Sequence, residues 1–148
     1  MPDRVPFQTA VRAAAMTLVR EYAEDIGLTM QLYRARPASI HPPTAFVDVM
    51  RETPTGFTAP STRERVVECD VVCIWGLFDS ASAVDQRDAF VDGFSDFVID
   101  DWHAAGANTL IAVTQITDDP SYRPDWPKPE LQRTYFASVI TLEGRAST

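Results

Sequence analysis

Four aspartates are the residues of this chain best spaced to do chemistry together. Asp85, Asp88, Asp92 and Asp96 recur every three or four residues within DSASAVDQRDAFVDGFSDFVIDDWH, residues 79–103. On a helix, that spacing puts all four on one side. Carboxylates so arrayed can ligate a metal, form a negative wall facing DNA, or simply solvate a helix surface. His103, preceded by Asp100, Asp101 and Trp102, is the best placed group for acid–base work. A histidine near a helix C-terminus is also favourable through the helix dipole alone, and no nucleophile stands at a recognisable spacing from it. The chain has no G-x-S-x-G elbow, P-loop, G-x-G-x-x-G or H-E-x-x-H, and only six glycines to build a phosphate cradle. Two-metal phosphoryl chemistry usually wants a lysine or histidine beside its carboxylates. The single lysine, Lys128, lies in a proline-rich stretch, and PDWPKPE has the wrong order and spacing for a nuclease motif. No catalytic, cofactor-binding or metal-ligating residues are therefore assigned, no cofactor is expected, and the chain is not expected to be an enzyme.

Cys69 and Cys73 lie in ERVVECDVVCIWGLF, which reads as a strand. Four residues along a strand span about 13 Å, too far for a disulfide. A zinc site would need further ligands, and the only histidines are His41 and His103. Both thiols are expected to be free and buried. The chain has 148 residues, a net charge of −8 and 45% hydrophobic content, enough for one domain with a real core. Its acidity argues against a broad basic surface gripping nucleic acid. No apolar run approaches a membrane span and no signal peptide is visible, so cytosolic synthesis is expected.

The elements that position these residues follow from periodicity. Phe7, Val11, Ala14, Leu18, Tyr22 and Ile26 form one helical stripe, with Ala15 and Val19 beside it, predicting a helix over about 6–26 that Gly27 stops. LTMQLYRAR is a short strand candidate, and the prolines of RPASIHPP bar a central strand there. TAFVDVMRE reads as a strand with Ala45, Val47 and Val49 on one face and Phe46, Asp48 and Met50 on the other. TPTGFTAPSTR reads as a long connection rather than a tight hairpin. Arg63 to Phe78 is the longest strand signal, with apolar residues at 67, 69, 71, 73, 75 and 77 and burial on both faces towards its end. In the long helix that follows, Val84, Val91, Phe94, Val98 and Trp102 make the apolar face, widened by Phe90 and Phe97. Asp79 or Ser80 suits its N-cap, and Gly106 lies past its end. NTLIAVTQITD is a further strand, DPSYRPDWPKPE a rigid surface loop, LQRTYFASVITLE a closing strand and GRAST a frayed tail. The expectation is a single α+β domain over 1–148: a largely antiparallel or mixed sheet carrying the N-terminal and long central helices. Sheet and long helix occupy about 28–143, and the tail 144–148.

What stands out beyond the core are interaction features: proline-punctuated loops, the aromatics Phe57, Tyr122 and Trp126 within them, and a negative field. Three phrases carry a resemblance. PASIHPPTAFVDVMRE, then VVECDVVCIWGLFDSASAVDQRDAFVDGFSDFV, then YRPDW before a tyrosine-containing last strand resemble the tail terminator proteins of long-tailed bacteriophages. The likeness runs from about Arg36 to Glu143, with the N-terminal helix in the expected place. It implies a virion structural protein in the neck region of the tail, forming a homo-hexameric ring on the head-proximal end of the tail tube. Such a ring stops tube polymerisation and meets the head–tail connector or stopper protein, while DNA passes through without specific binding. In that setting Asp85, Asp88, Asp92 and Asp96 become candidates for lining a DNA-repelling channel, and Phe57, Tyr122 and Trp126 for subunit or tube contacts. No membrane partner is implied. The alternatives are another neck protein, such as a head–tail stopper or head-completion protein, and a metal-dependent enzyme using the acidic helix.

Overall fold

The computed structural model of the chain describes residues 7–59, 62–101, 110–123 and 134–147. The described elements are α1 (Phe7–Asp25), β1 (Gln31–Tyr33), β2 (Thr44–Ala59), β3 (Thr62–Leu77), α2 (Ala81–Asp101), β4 (Leu110–Tyr122) and β5 (Tyr135–Ser147). The strands form one sheet in the order β1-β2-β3-β5-β4, with β1 parallel to β2 and every other pair antiparallel. Both helices pack on one face, α1 over β1 to β3 and α2 over β3, β5 and β4. The expected single α+β domain with a mixed sheet is the observed architecture.

α1 buries Val11, Ala14, Ala15, Leu18, Val19 and Tyr22 of the anticipated stripe, together with Met16 and Ala23, while Phe7 and Ile26 at the stripe's ends are only half-buried. It stops at Gly27, whose φ of 74° is a conformation that favours glycine. The Leu28 amide donates to the Ala23 carbonyl at 2.8 Å and the Gly27 amide to Glu24 at 3.1 Å, the paired bonds of a Schellman cap. In α2 the buried face is Ala83, Phe90, Phe94 and Val98, with Val91 and Phe97 at its flanks. Val84, expected on that face, is 44% exposed, because Ala83 takes its place over the sheet. Tyr22 locks the helices together, its ring 5.0–5.6 Å from those of Phe90, Phe94 and Phe97.

Several strand expectations are corrected. TPTGFTAPSTR is not a long connection: β2 and β3 run on as a hairpin to Ala59 and Thr62, which pair with each other. Pro54 sits in β2 without breaking it, since β1 pairs only with Thr44–Phe46 and leaves β2 an edge strand at Pro54. The faces of TAFVDVMRE also change partway. Asp48 and Val49 together oppose a single β3 position, a bulge that turns Met50 onto the helix-side core and leaves Val49 43% exposed. A second irregularity between Ile74 and Gly76 ends the β3 alternation, so Trp75 is buried and Leu77 is 41% exposed. β4 continues through Asp119–Tyr122, where a loop was expected; Pro120 falls at a break in its pairing on the outer edge of the sheet. The expected tail is strand as far as Ser147, paired with Glu64.

Candidate functional site

α2 holds Asp85, Asp88, Asp92 and Asp96 exposed, on the side away from Phe90, Phe94 and Val98. One turn apart, such side chains are close neighbours. The helix carries six aspartates and one basic residue, Arg87. Arg87 turns away from most of them to reach β4, bonding Asp118 at 2.8 Å and touching only Asp88 of the stripe at 3.1 Å. Asp85, Asp92 and Asp96 make no ion pair among the described residues. Their field reaches inward: burial first raises the Tyr22 phenol above its ordinary pKa, the Gly93 backbone opposes, and Asp92, Asp25 and Asp96 add to the rise. Among the described residues no three His, Cys, Asp or Glu side chains converge as a metal site would require. What the stripe can do is repel a polyanion or attract a basic surface.

The three aromatic candidates are not brought together. Phe57 lies in β2 opposite Arg63, near the hairpin end of the sheet; its side chain is outside the described residues. Trp126, Lys128, Trp102, His103 and Gly106 fall outside them altogether. Tyr122 sits at the other end, opposite Tyr135, which pairs in turn with Leu77. It packs in a small apolar cluster on the helix-free face with Ile40, Phe46, Ile74 and Tyr135. Burial raises its pKa, and its hydroxyl has no hydrogen-bond partner among the described residues.

Three polar arrangements were not anticipated. Trp75 Nε1 donates to Ser138 Oγ at 2.9 Å, and that hydroxyl donates to Asp118 Oδ1 at 2.7 Å. Asp118 in turn holds Arg87, so one chain of bonds runs from the buried core through β5 and β4 to α2. A tryptophan in an apolar strand always raises the question of its N–H partner, but the sequence does not say which strand supplies it. On the helix-free face, Arg51 forks across β3. It bonds Asp70 through both terminal nitrogens at 2.9 Å and Glu68 at 3.1–3.2 Å, and Thr141 donates to Asp70 at 2.9 Å. The Arg51 bonds hold the Asp70 carboxyl below its usual range against the opposing effect of burial, with Thr141 adding to the lowering. Between α1 and the edge strand β1 lie two adjoining hollows of about 380 and 270 Å³. Both are lined by Arg20 and Leu32, and the smaller one also by Arg34.

Cys69 and Cys73 are free and buried, as expected. Burial pushes both thiols up to about 12, which makes them poor nucleophiles. Neither the protein-family models nor the curated proteins compared with the chain give a match.

Proposed function

We propose that this chain is a structural protein of a long-tailed phage virion, a terminator that caps the head-proximal end of the tail tube. It stops tube growth and offers a joint to the head-side connector or stopper protein. The observation that supports this reading is the fit between the resembling phrases and the order of elements. PASIHPPTAFVDVMRE leads into β2, and VVECDVVCIWGLFDSASAVDQRDAFVDGFSDFV is one uninterrupted β3–turn–α2 unit at the centre of the fold. YRPDW leaves the end of β4 ahead of the closing strand β5. The described helices are not long and apolar enough to cross a membrane, and the reading needs none to be. In a homo-hexameric ring the exposed aspartates of α2 would serve this reading on the wall of the channel or at the boundary between neighbours, and a place on the outer surface would remove them from both.

The test is a polymerisation assay with a tail tube protein from the phage that encodes this chain. The purified chain added during growth is expected to shorten tubes in proportion to its concentration, with density at one end only in negative-stain images. Tubes of unchanged length with bare ends would reject the proposal.

A further inference from the structure

We propose that copies of this chain associate head to tail, the acidic outer face of α2 in one copy docking on the arginine-lined groove between α1 and β1 of the next. The groove has an apolar lining that includes Met16, Met30 and Leu32. Arg20 and Arg34 are both exposed at it, and neither has an ion pair among the described residues. Four other arginines are held in ion pairs: Arg36 with Asp48, Arg51 with Glu68 and Asp70, Arg65 with Glu52, Arg87 with Asp118. In a chain of net charge −8, two guanidiniums without an ion pair among the described residues stand at these adjoining hollows, Arg20 at both and Arg34 at the smaller. Glu24 also lines the larger hollow, so the local balance of the three groups is one positive charge.

The α2 face is the complement. Asp85, Asp92 and Asp96 are unpaired among the described residues, and Val84 and Ile99, 44% and 62% exposed, supply apolar contact at either end of the stripe. The two surfaces sit on different flanks. Tyr22 packs α1 against α2, whereas Arg20 and Ala23 line the side of α1 next to β1. A contact between unlike surfaces leaves each copy with one stripe and one groove to offer, which generates a closed ring or an open filament. The inference rests on the tail-cap reading only for closure into a ring. It gives the four aspartates a place between subunits instead of the channel wall.

The experiment is size-exclusion chromatography with light scattering on the purified full chain at low and high salt. The native chain is expected to form an assembly larger than a dimer that salt weakens. Arg20→Glu with Arg34→Glu, or Asp92→Arg with Asp96→Arg, is expected to raise the dissociation constant by about tenfold or more. The milder pair Arg20→Gln with Arg34→Gln should give a smaller rise. Mixing the two charge-reversed variants restores opposite charge at every contact, so assembly should return. A monomer, a discrete dimer, reversed variants that assemble like the native chain, or a mixture that stays dissociated would each overturn the inference. Assembly that persists in the reversed variants would leave the tail-cap reading to its own assay. Failure of that assay would leave a charge-dependent assembly standing.

Discussion

Gly93 occupies the middle of α2, where glycine costs about 1 kcal/mol relative to alanine. The reason lies in the neighbouring helix: a Cβ at this position would stand 2.5 Å from Tyr22 Oη and 3.5 Å from its Cζ. Tyr22 is 7% exposed and wedged among Phe90, Phe94 and Phe97, so the phenol has no free direction in which to swing. Gly93→Ala therefore sets a propensity gain of about 1 kcal/mol against an overpacking cost of about 1–3 kcal/mol. The net expectation is a destabilisation of up to about 2 kcal/mol. Tyr22→Phe removes the oxygen and leaves the ring carbon at ordinary contact distance. On that background Gly93→Ala is expected to stabilise by up to about 1 kcal/mol. The coupling between the two changes is thus about 1–3 kcal/mol, roughly 3–9 °C in melting temperature at about 3 °C per kcal/mol for a chain of this size. Thermal melts of the four proteins in the cycle, followed by far-UV circular dichroism, measure it. Equal shifts for Gly93→Ala on both backgrounds would refute the argument that Tyr22 is what keeps this position glycine.

Three further outcomes follow from the polar groups. Ser138→Ala strands the buried Trp75 N–H and removes a donor from Asp118, and is expected to cost about 1–3 kcal/mol; a denaturant midpoint unchanged with the same slope would contradict it. Asp70 has its folded pKa below its unfolded value, so its contribution is present above the unfolded pKa of about 3.9 and disappears as pH falls through the lower folded value. Asp70→Asn should accordingly lower stability at pH 7 and flatten its decline between about pH 5 and 2; a decline as steep as that of the native chain would exclude this source. Cys69 and Cys73, raised to about 12, should resist a thiol reagent such as dithionitrobenzoate at pH 8 in the folded chain and react together on unfolding. Because their folded pKa exceeds the unfolded value of about 8.5, stability should also fall as pH rises past it. Rapid labelling of either thiol under native conditions would contradict their burial.

Elements whose signal is local could be read from the chain alone. The α1 stripe and its Gly27 stop, the β3 alternation, the buried thiols and the exposed side of α2 all depend on periodicities carried within single segments. What could not be read depends on neighbours. Pro54 and Gly56 argue against a strand until it is known that the pairing of β1 along β2 ends at Phe46 and leaves the rest of β2 at an edge. Met50 exchanges faces with Val49 only because of a bulge opposite β3, which no pattern of period two announces. GRAST reads as a tail because its partner, the start of β3, is some eighty residues away. The groove beside β1 was equally hidden: Arg20 falls off the apolar stripe of α1 as any solvated residue would. Only the packing of a three-residue strand against that flank gives it Leu32 and Arg34 as companions.

Whether the proposed cap ends tail-tube growth can be seen by electron microscopy of lysates from a phage lacking the gene for this chain. A missing tail cap should leave tubes of irregular, overgrown length beside unattached filled heads. Free tails of normal length beside the heads would contradict the proposed role and move the protein to the head side of the joint.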